Sequence, residues 1–378
     1  NGDSFDSLIF CRRDCEEATI PANIKEIHSY SFSECAKLKK VNLQDCSNLT
    51  LLEEHSFSYS AIEHVSIPSK LKDIKPYSFY NCKQLIDVEW STESELLVIG
   101  AFSFSASSIH GIFIPKSVEH ICESAFYECQ NLQTVTLSED SQLRSIGKSS
   151  FALSQINMIF IPSRVEHIGE YAFFKCSKLT KIDFSSDSKL NLIDKCSFSF
   201  TSLDKIEIPT NVDRIGFASF SHCSNLKTVK FADDSNLKTI EKEAFSSSFV
   251  EDVLIPRNVQ CVDKRTFSNC KNLKSVKFQE NSELLSICGD AFSSSSIESL
   301  DIPSKVTELK DGWCKGTKNL KNISISDDNK NYKYQDNQFI LSRSDSDEYD
   351  QLIFCRRDIE EVSISNSIKR ICPYSFSK

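Results

Sequence analysis

The chain has 378 residues, 40% of them hydrophobic and 26% charged, a balance that fits a folded protein and excludes wholesale disorder. Its formal net charge is −9 with both signs mixed along the length, which leaves no basic face for nucleic acid. No apolar run reaches the length of a membrane span, and the chain opens with neither an initiating Met nor a signal-peptide pattern, so it reads as a piece of a longer protein.

In chain order, the first element is Leu8-Ile9-Phe10-Cys11-Arg12-Arg13-Asp14, after which a rhythm sets in. Ile-Pro recurs at Ile20-Pro21, Ile67-Pro68, Ile114-Pro115, Ile161-Pro162, Ile208-Pro209, Ile255-Pro256 and Ile302-Pro303, and every step is 47 residues. Each unit divides into two similar halves. Ile24, Ile27, Phe32, Cys35, Leu38, Val41 and Leu43 mark the first, and Leu49, Leu52, Phe57, Ser60, Ile62, Val65 and Ile67 the second. The same skeleton returns at Val118, Ile121, Phe126, Cys129, Leu132, Val135 and Leu137. Half-repeats of about 22 to 25 residues lie in the leucine-rich-repeat range.

The segment L-x-x-V-x-I reads as a short strand whose last two apolar residues, two apart, point inward. The preceding Phe plugs the core from the opposite wall, and its neighbours (Ser124-Ala125, Tyr171-Ala172) suit a helical or 3₁₀ turn. One coil cannot bury its apolar face, but stacked coils share a core. Pro, lacking an N–H, ends the ladder at every second strand. Strands are expected to begin near residues 15, 38, 62, 85, 109, 132, 156, 179, 203, 226, 250, 273, 297, 320 and 359. The expected fold is a right-handed, curved α/β solenoid: a concave parallel sheet of about fifteen strands, backed by short helical or 3₁₀ turns and loops.

The expected organisation is one array over 1–378, with regular 47-residue double repeats over 20–325. An irregular insert covers 326–358, and a partial module over 359–378 echoes 1–33. Within the insert, Leu352-Ile353-Phe354-Cys355-Arg356-Arg357-Asp358 repeats the opening heptapeptide, so the natural chain is expected to continue at both ends.

Sixteen Cys invite a disulfide or metal reading. Cys35, Cys82, Cys129, Cys176, Cys223 and Cys270 follow the 47-residue period, two coils or about 10 Å apart, too far for disulfides. Ser or Thr fills the same place in the coils between, so these Cys are expected to form a structural ladder that satisfies backbone groups. Cys122, Cys196, Cys261 and Cys288 are expected to have no partner in the adjacent coil. No C-x-x-C occurs and the His form no ligand pairs, so no metal site and no cofactor is expected. His120 and His167 read as a partly solvated ladder. Asp345 to Asp350 lacks the Gly and distal Glu of a calcium loop and reads as a solvated hairpin tip. Catalytic motifs are absent.

The outward strand positions build the expected binding face. Most are polar, but Phe113, Met158 and Phe160 are large and apolar, with Thr136 between them. Such a patch, flanked by Asp87 and Glu89 on one side and Lys181 and Lys205 on the other, is the expected contact surface for a protein partner. Asn48-Leu49-Thr50 and Asn322-Ile323-Ser324 are glycosylation acceptors if the chain is secreted by a eukaryotic route.

The pattern Ile114-Pro115, Val118, Ile121, Ala125-Phe126, Cys129, Leu132, Val135, Leu137 closely resembles the BspA-like (Treponema-type) leucine-rich-repeat family. The insert, with Asn331-Tyr332, Phe339-Ile340-Leu341 and Leu352 to Cys355, is similar to that family's variant coil. The resemblance implies a non-enzymatic surface or secreted protein that adheres to host matrix proteins or other cells. An intracellular scaffold or structural spacer, located in the cytoplasm, is the alternative that the free thiols favour. The alternation of Cys with Ser and the acidic insert depart from the commoner family pattern, so no ligand carries over.

Overall fold

The computed structural model describes residues 6–43, 48–344 and 348–377. It falls into two compact units, residues 1–190 and 191–378. In the first unit, Glu17–Thr19, Lys40–Asn42, His64–Ile67 and Asp87–Trp90 form one parallel sheet. Gly111–Phe113, Thr134–Thr136, Met158–Ile161 and Lys181–Phe184 form another. In the second unit, Lys205–Ile208, Thr228–Phe231, Asp252–Ile255, Ser275–Phe278, Ser299–Ile302 and Asn322–Ile325 form a third. Each strand starts two residues after the expected position. The strand expected near residue 359 is not found among the described residues. Alternation explains the faces: Ile112 and Ile114 are buried, while Phe113 between them stays exposed.

One expectation is corrected. No helix, α or 3₁₀, occurs among the described residues, and a second row of two-residue strands stands where helical turns were expected. In the first unit this row includes Glu26–Ile27, Leu51–Leu52, Val98–Ile99, His120–Ile121 and Ser145–Ile146. Between the row and the next long strand lies a run of tight turns. Two residues per turn, four apart, take the left-handed conformation: Tyr30 and Glu34, His55 and Tyr59, Ser124 and Glu128. That geometry cannot continue a helix.

Backbone donors in these turns divide into two sets. The Ser58 and Ser60 N–H groups close i−3 turns on His55 and Phe57, whereas those of Phe57 and Tyr59 donate forward to Ser78 and Tyr80 of the next coil. In the row of two-residue strands the direction is reversed, with Cys122 and Gly147 donating back to Ile99 and Ile121. The second unit shows the same opposition: Phe220 donates forward to Ala244, and Glu241 back to Ile215. Every coil thereby satisfies backbone groups that a lone coil would leave open.

The turns carry the Phe ladder into the core. Phe32, Phe57, Phe79, Phe104, Phe126, Phe151 and Phe173 stack with ring centroids 4.7 to 5.5 Å apart and planes within 9°. In the second unit, Phe198, Phe220, Phe245, Phe267 and Phe292 continue the motif at 5.3 to 5.8 Å, and Trp313 ends it edge-on. All twelve Phe rings are fully buried.

The insert turns antiparallel. Tyr332–Gln335 pairs with Phe339–Arg343 across a turn in which Asp336 and Asn337 both take positive φ, as a tight hairpin requires. Phe339–Arg343 then pairs antiparallel with Tyr349–Cys355, which lies parallel to Arg370–Ile371. Asn329 and Tyr332 tie the insert to the preceding coil. Asn329 Nδ2 donates to the Pro303 and Val306 carbonyls, and the Leu309 N–H donates to the Tyr332 hydroxyl at 2.8 Å. Of the acidic run, Asp345 to Asp347 lie outside the described residues.

Candidate binding face

The long strands of the first unit present the expected apolar positions side by side. Gly111 pairs with Thr134, Thr134 with Met158, and Met158 with Lys181, while Phe113 pairs with Thr136 and Phe160 with Asp183. Phe113 is 49% exposed and Met158 52%, whereas Phe160 is half-buried. Two ladder steps, about 10 Å, separate the strands of Phe113 and Phe160, so the rings do not cover each other. Gly111 is needed here for room, since a Cβ would lie 2.4 Å from the Thr134 hydroxyl.

The charged flanks are unequal. Asp87 and Glu89 lie on the neighbouring sheet, where Glu89 accepts a 2.9 Å hydrogen bond from Ser66. Lys181 forms an ion pair with Asp183 of its own strand at 2.5 Å, with both side chains about half exposed. Lys205 opens the first long strand of the second unit.

Beside Phe113 the face deepens into a groove of about 1490 Å³, whose lining includes Glu89, Trp90, Phe113, Pro115 and Gln142. Trp90 was not singled out from the sequence. Its ring meets Phe104 edge-on at 6.3 Å, and its buried Nε1–H has no acceptor among the described residues. A Trp in the fourth position of a strand, where other coils place Ile or Phe, was the available signal.

The periodic Cys sit inside the turns. The thiols of Cys82, Cys129, Cys176, Cys223 and Cys270 each lie 3.1 Å from the carbonyl of a Phe in the preceding coil, at Phe57, Phe104, Phe151, Phe198 and Phe245. Each also meets the Ser or Thr of that coil, as Cys129 meets Ser107 at 3.3 Å. Burial pushes the Cys82 and Cys176 thiols up to about 12, and those of Cys129, Cys223 and Cys270 to about 11. They stay protonated and unreactive at neutral pH. Cys35, equally buried, instead accepts from Arg13 at 3.5 Å.

One thiol pair corrects the expectation that Cys261 and Cys288 have no partner in the adjacent coil, and a second grouping stands beside it. Cys261 Sγ lies 3.4 Å from Cys288 Sγ in the next coil. Cys11, Cys15 and Cys35 converge within 4.8 Å of one another. Cys261 and Cys288 are 27 residues apart and Cys35 is 24 from Cys11, so these contacts form only when coils stack, whereas Cys11 and Cys15 share one turn. His120 bonds Ser145 at 2.9 Å on the two-residue strands. Asn48, in a turn, and Asn322, opening a strand, are both exposed.

Stacked parallel strands, one Phe per coil and a hydroxyl–thiol ladder together define a leucine-rich-repeat solenoid. The chain belongs to the BspA-type leucine-rich-repeat family, whose model matches residues 3–103, 97–227, 191–321 and 238–346. Among solved structures, a leucine-rich repeat protein from Bacteroides ovatus is similar at 21% identity and a TM-score of 0.60, over 78% of this chain and 80% of that one. The pneumococcal vaccine antigen PcpA is similar at 20% identity and a TM-score of 0.45, over 86% and 93%. A leucine-rich cell surface protein from Faecalibacterium prausnitzii is similar at 22% and 0.42, over 83% and 88%. No curated protein matches the sequence. Among the described residues, no helix is long and apolar enough to cross a membrane.

Proposed function

We propose that the chain is a non-enzymatic, protein-binding array of an adhesin-like surface or secreted antigen. It contacts host or partner proteins through the long-strand face of its first unit. One observation carries the reading: Phe113 and Met158 stand about half exposed on a face whose other outward residues are mostly polar. Large apolar side chains in such a setting mark contact surfaces, and aromatic residues dominate the energetics of protein interfaces. The groove beside Phe113, lined by Trp90 and Pro115 together with polar side chains such as Lys116, Ser117 and Gln142, offers an anchor pocket next to the exposed ring.

The test is binding of the chain to a panel of purified extracellular-matrix proteins, with the Phe113→Ser/Phe160→Ser double variant alongside. Loss of about tenfold or more in affinity for a bound partner is expected from losing about 1.4 kcal/mol or more. Unchanged binding by the folded variant would remove the face from the proposal. A second reading, an intracellular scaffold or spacer, is supported by the periodic thiols Cys82, Cys129, Cys176, Cys223 and Cys270, which are buried and reduced. Mass spectrometry of the native protein separates the two: glycans at Asn48 and Asn322 favour the surface reading, and bare sites the scaffold.

A further inference from the structure

Three thiols meet at the start of the first unit. Cys11 and Cys15 flank the Arg12-Arg13-Asp14 turn with their sulfurs 3.1 Å apart, and Cys35 enters from the next coil. The thiols of Cys11 and Cys35 both approach the Arg12 carbonyl, at 3.6 and 3.9 Å. A tetrahedral zinc ion with Zn–S bonds of about 2.3 Å holds its sulfurs about 3.8 Å apart, inside the range this set already spans. Cys35 is buried while Cys11 and Cys15 are half-buried, so one side of the set faces solvent.

The charge also suits a cation. Three thiolates around a divalent ion leave one negative charge, and the Arg13 guanidinium, held by the Ser31 and Tyr30 carbonyls, donates to Cys35 Sγ at 3.5 Å. Arg12 is occupied elsewhere, paired with Asp14 at 2.7 Å. The repeated heptapeptide supplies an internal comparison. Arg357 there donates to the Ser375 and Tyr374 carbonyls just as Arg13 does to Ser31 and Tyr30, and Cys355 stands at the place of Cys11. Ile359 stands at the place of Cys15. The turn therefore forms without a thiol at that position, and folding alone does not account for Cys15.

We propose that Cys11, Cys15 and Cys35 bind a thiophilic divalent cation of the zinc type, with the fourth coordination position open to solvent or to an outside ligand. Binding displaces the three thiol protons to solvent. The experiment uses the full chain, reduced and metal-free, titrated with Co²⁺ under anaerobic conditions and then with Zn²⁺. One Co²⁺ per chain with a thiolate-to-metal charge-transfer band, displaced by Zn²⁺, is the expected result. Cys15→Ile, which copies the second heptapeptide, and Cys35→Ser should both lose the band. Cys261→Ser/Cys288→Ser, which removes the other close thiol pair, should keep it. Absence of the band in the reduced chain, its persistence in Cys15→Ile, or a native protein isolated with a Cys11–Cys15 disulfide would overturn the assignment.

Discussion

The same seven residues, Leu-Ile-Phe-Cys-Arg-Arg-Asp, occur at 8–14 and at 352–358, and the two copies end in different surroundings. Their polar wiring is shared: Arg12 binds Asp14 and Arg356 binds Asp358, while Arg13 and Arg357 each reach two turn carbonyls. Their apolar burial is not. Phe10 is 63% exposed and Phe354 fully buried. The difference comes from the neighbours. Tyr349–Cys355 lies between Phe339–Arg343 and Arg370–Ile371, and Trp313 packs on Phe354 at 6.0 Å. Among the described residues, the first copy adds Leu8 to the strand Ser7–Leu8, paired with Glu26–Ile27. Local sequence thus sets the short-range hydrogen bonds, and in the second copy the paired strand Phe339–Arg343 and the Trp313 ring take Phe354 out of water.

The sharpest way to break this comparison is to truncate the two Phe. Phe354→Ala should cost about 3–5 kcal/mol of stability, as core Phe truncations do, whereas Phe10→Ala should stay within about 0.5 kcal/mol. Equal losses in thermal or urea unfolding would show that the heptapeptide carries its own burial. A middle-sized effect tests how the hairpin is anchored. Tyr332→Phe removes the acceptor of the buried Leu309 N–H and should cost about 1–3 kcal/mol, seen as loss of hydrogen-exchange protection at Leu309.

The smallest effect concerns acid. Two Arg356 hydrogen bonds hold the Asp358 carboxyl below its ordinary value of 3.8. A carboxyl with a lowered folded-state pKa stabilises the fold above its unfolded value, and that contribution disappears as pH falls through the folded value. Asp358→Asn should therefore remove that small contribution at pH 7 and flatten the acid limb below about pH 4, where variant and wild type converge. A variant as acid-sensitive as the wild type would exclude Asp358 as a source of that limb.

Much of the fold was legible because a strict 47-residue rhythm admits one register. Phe32 to Phe292, Ile20 to Ile302 and the Cys/Ser alternation all follow from it. The turns were not legible. Tyr30, Glu34, His55 and Tyr59 carry no mark of a left-handed backbone, because neighbouring coils impose it against their intrinsic preference. The candidate face was readable at Phe113, Met158 and Phe160, since outward strand positions follow from alternation. The Cys261–Cys288 contact and the approach of Cys35 to Cys11 and Cys15 were not, because each depends on side chains that meet only across coils, and Trp90 was marked only by its size at the fourth strand position.

The opposed hydrogen-bond directions of the two ladders bear on how such a protein can grow. In a helix, aligned peptide dipoles add up and leave partial charges at the tips. Here the turn donors Phe57 and Phe220 point forward while Cys122, Gly147 and Glu241, beside the two-residue strands, point back, so bonds of both directions join each coil to its neighbours. A 47-residue unit added or removed in register carries its own forward and backward bonds, so the coils on either side keep their partners.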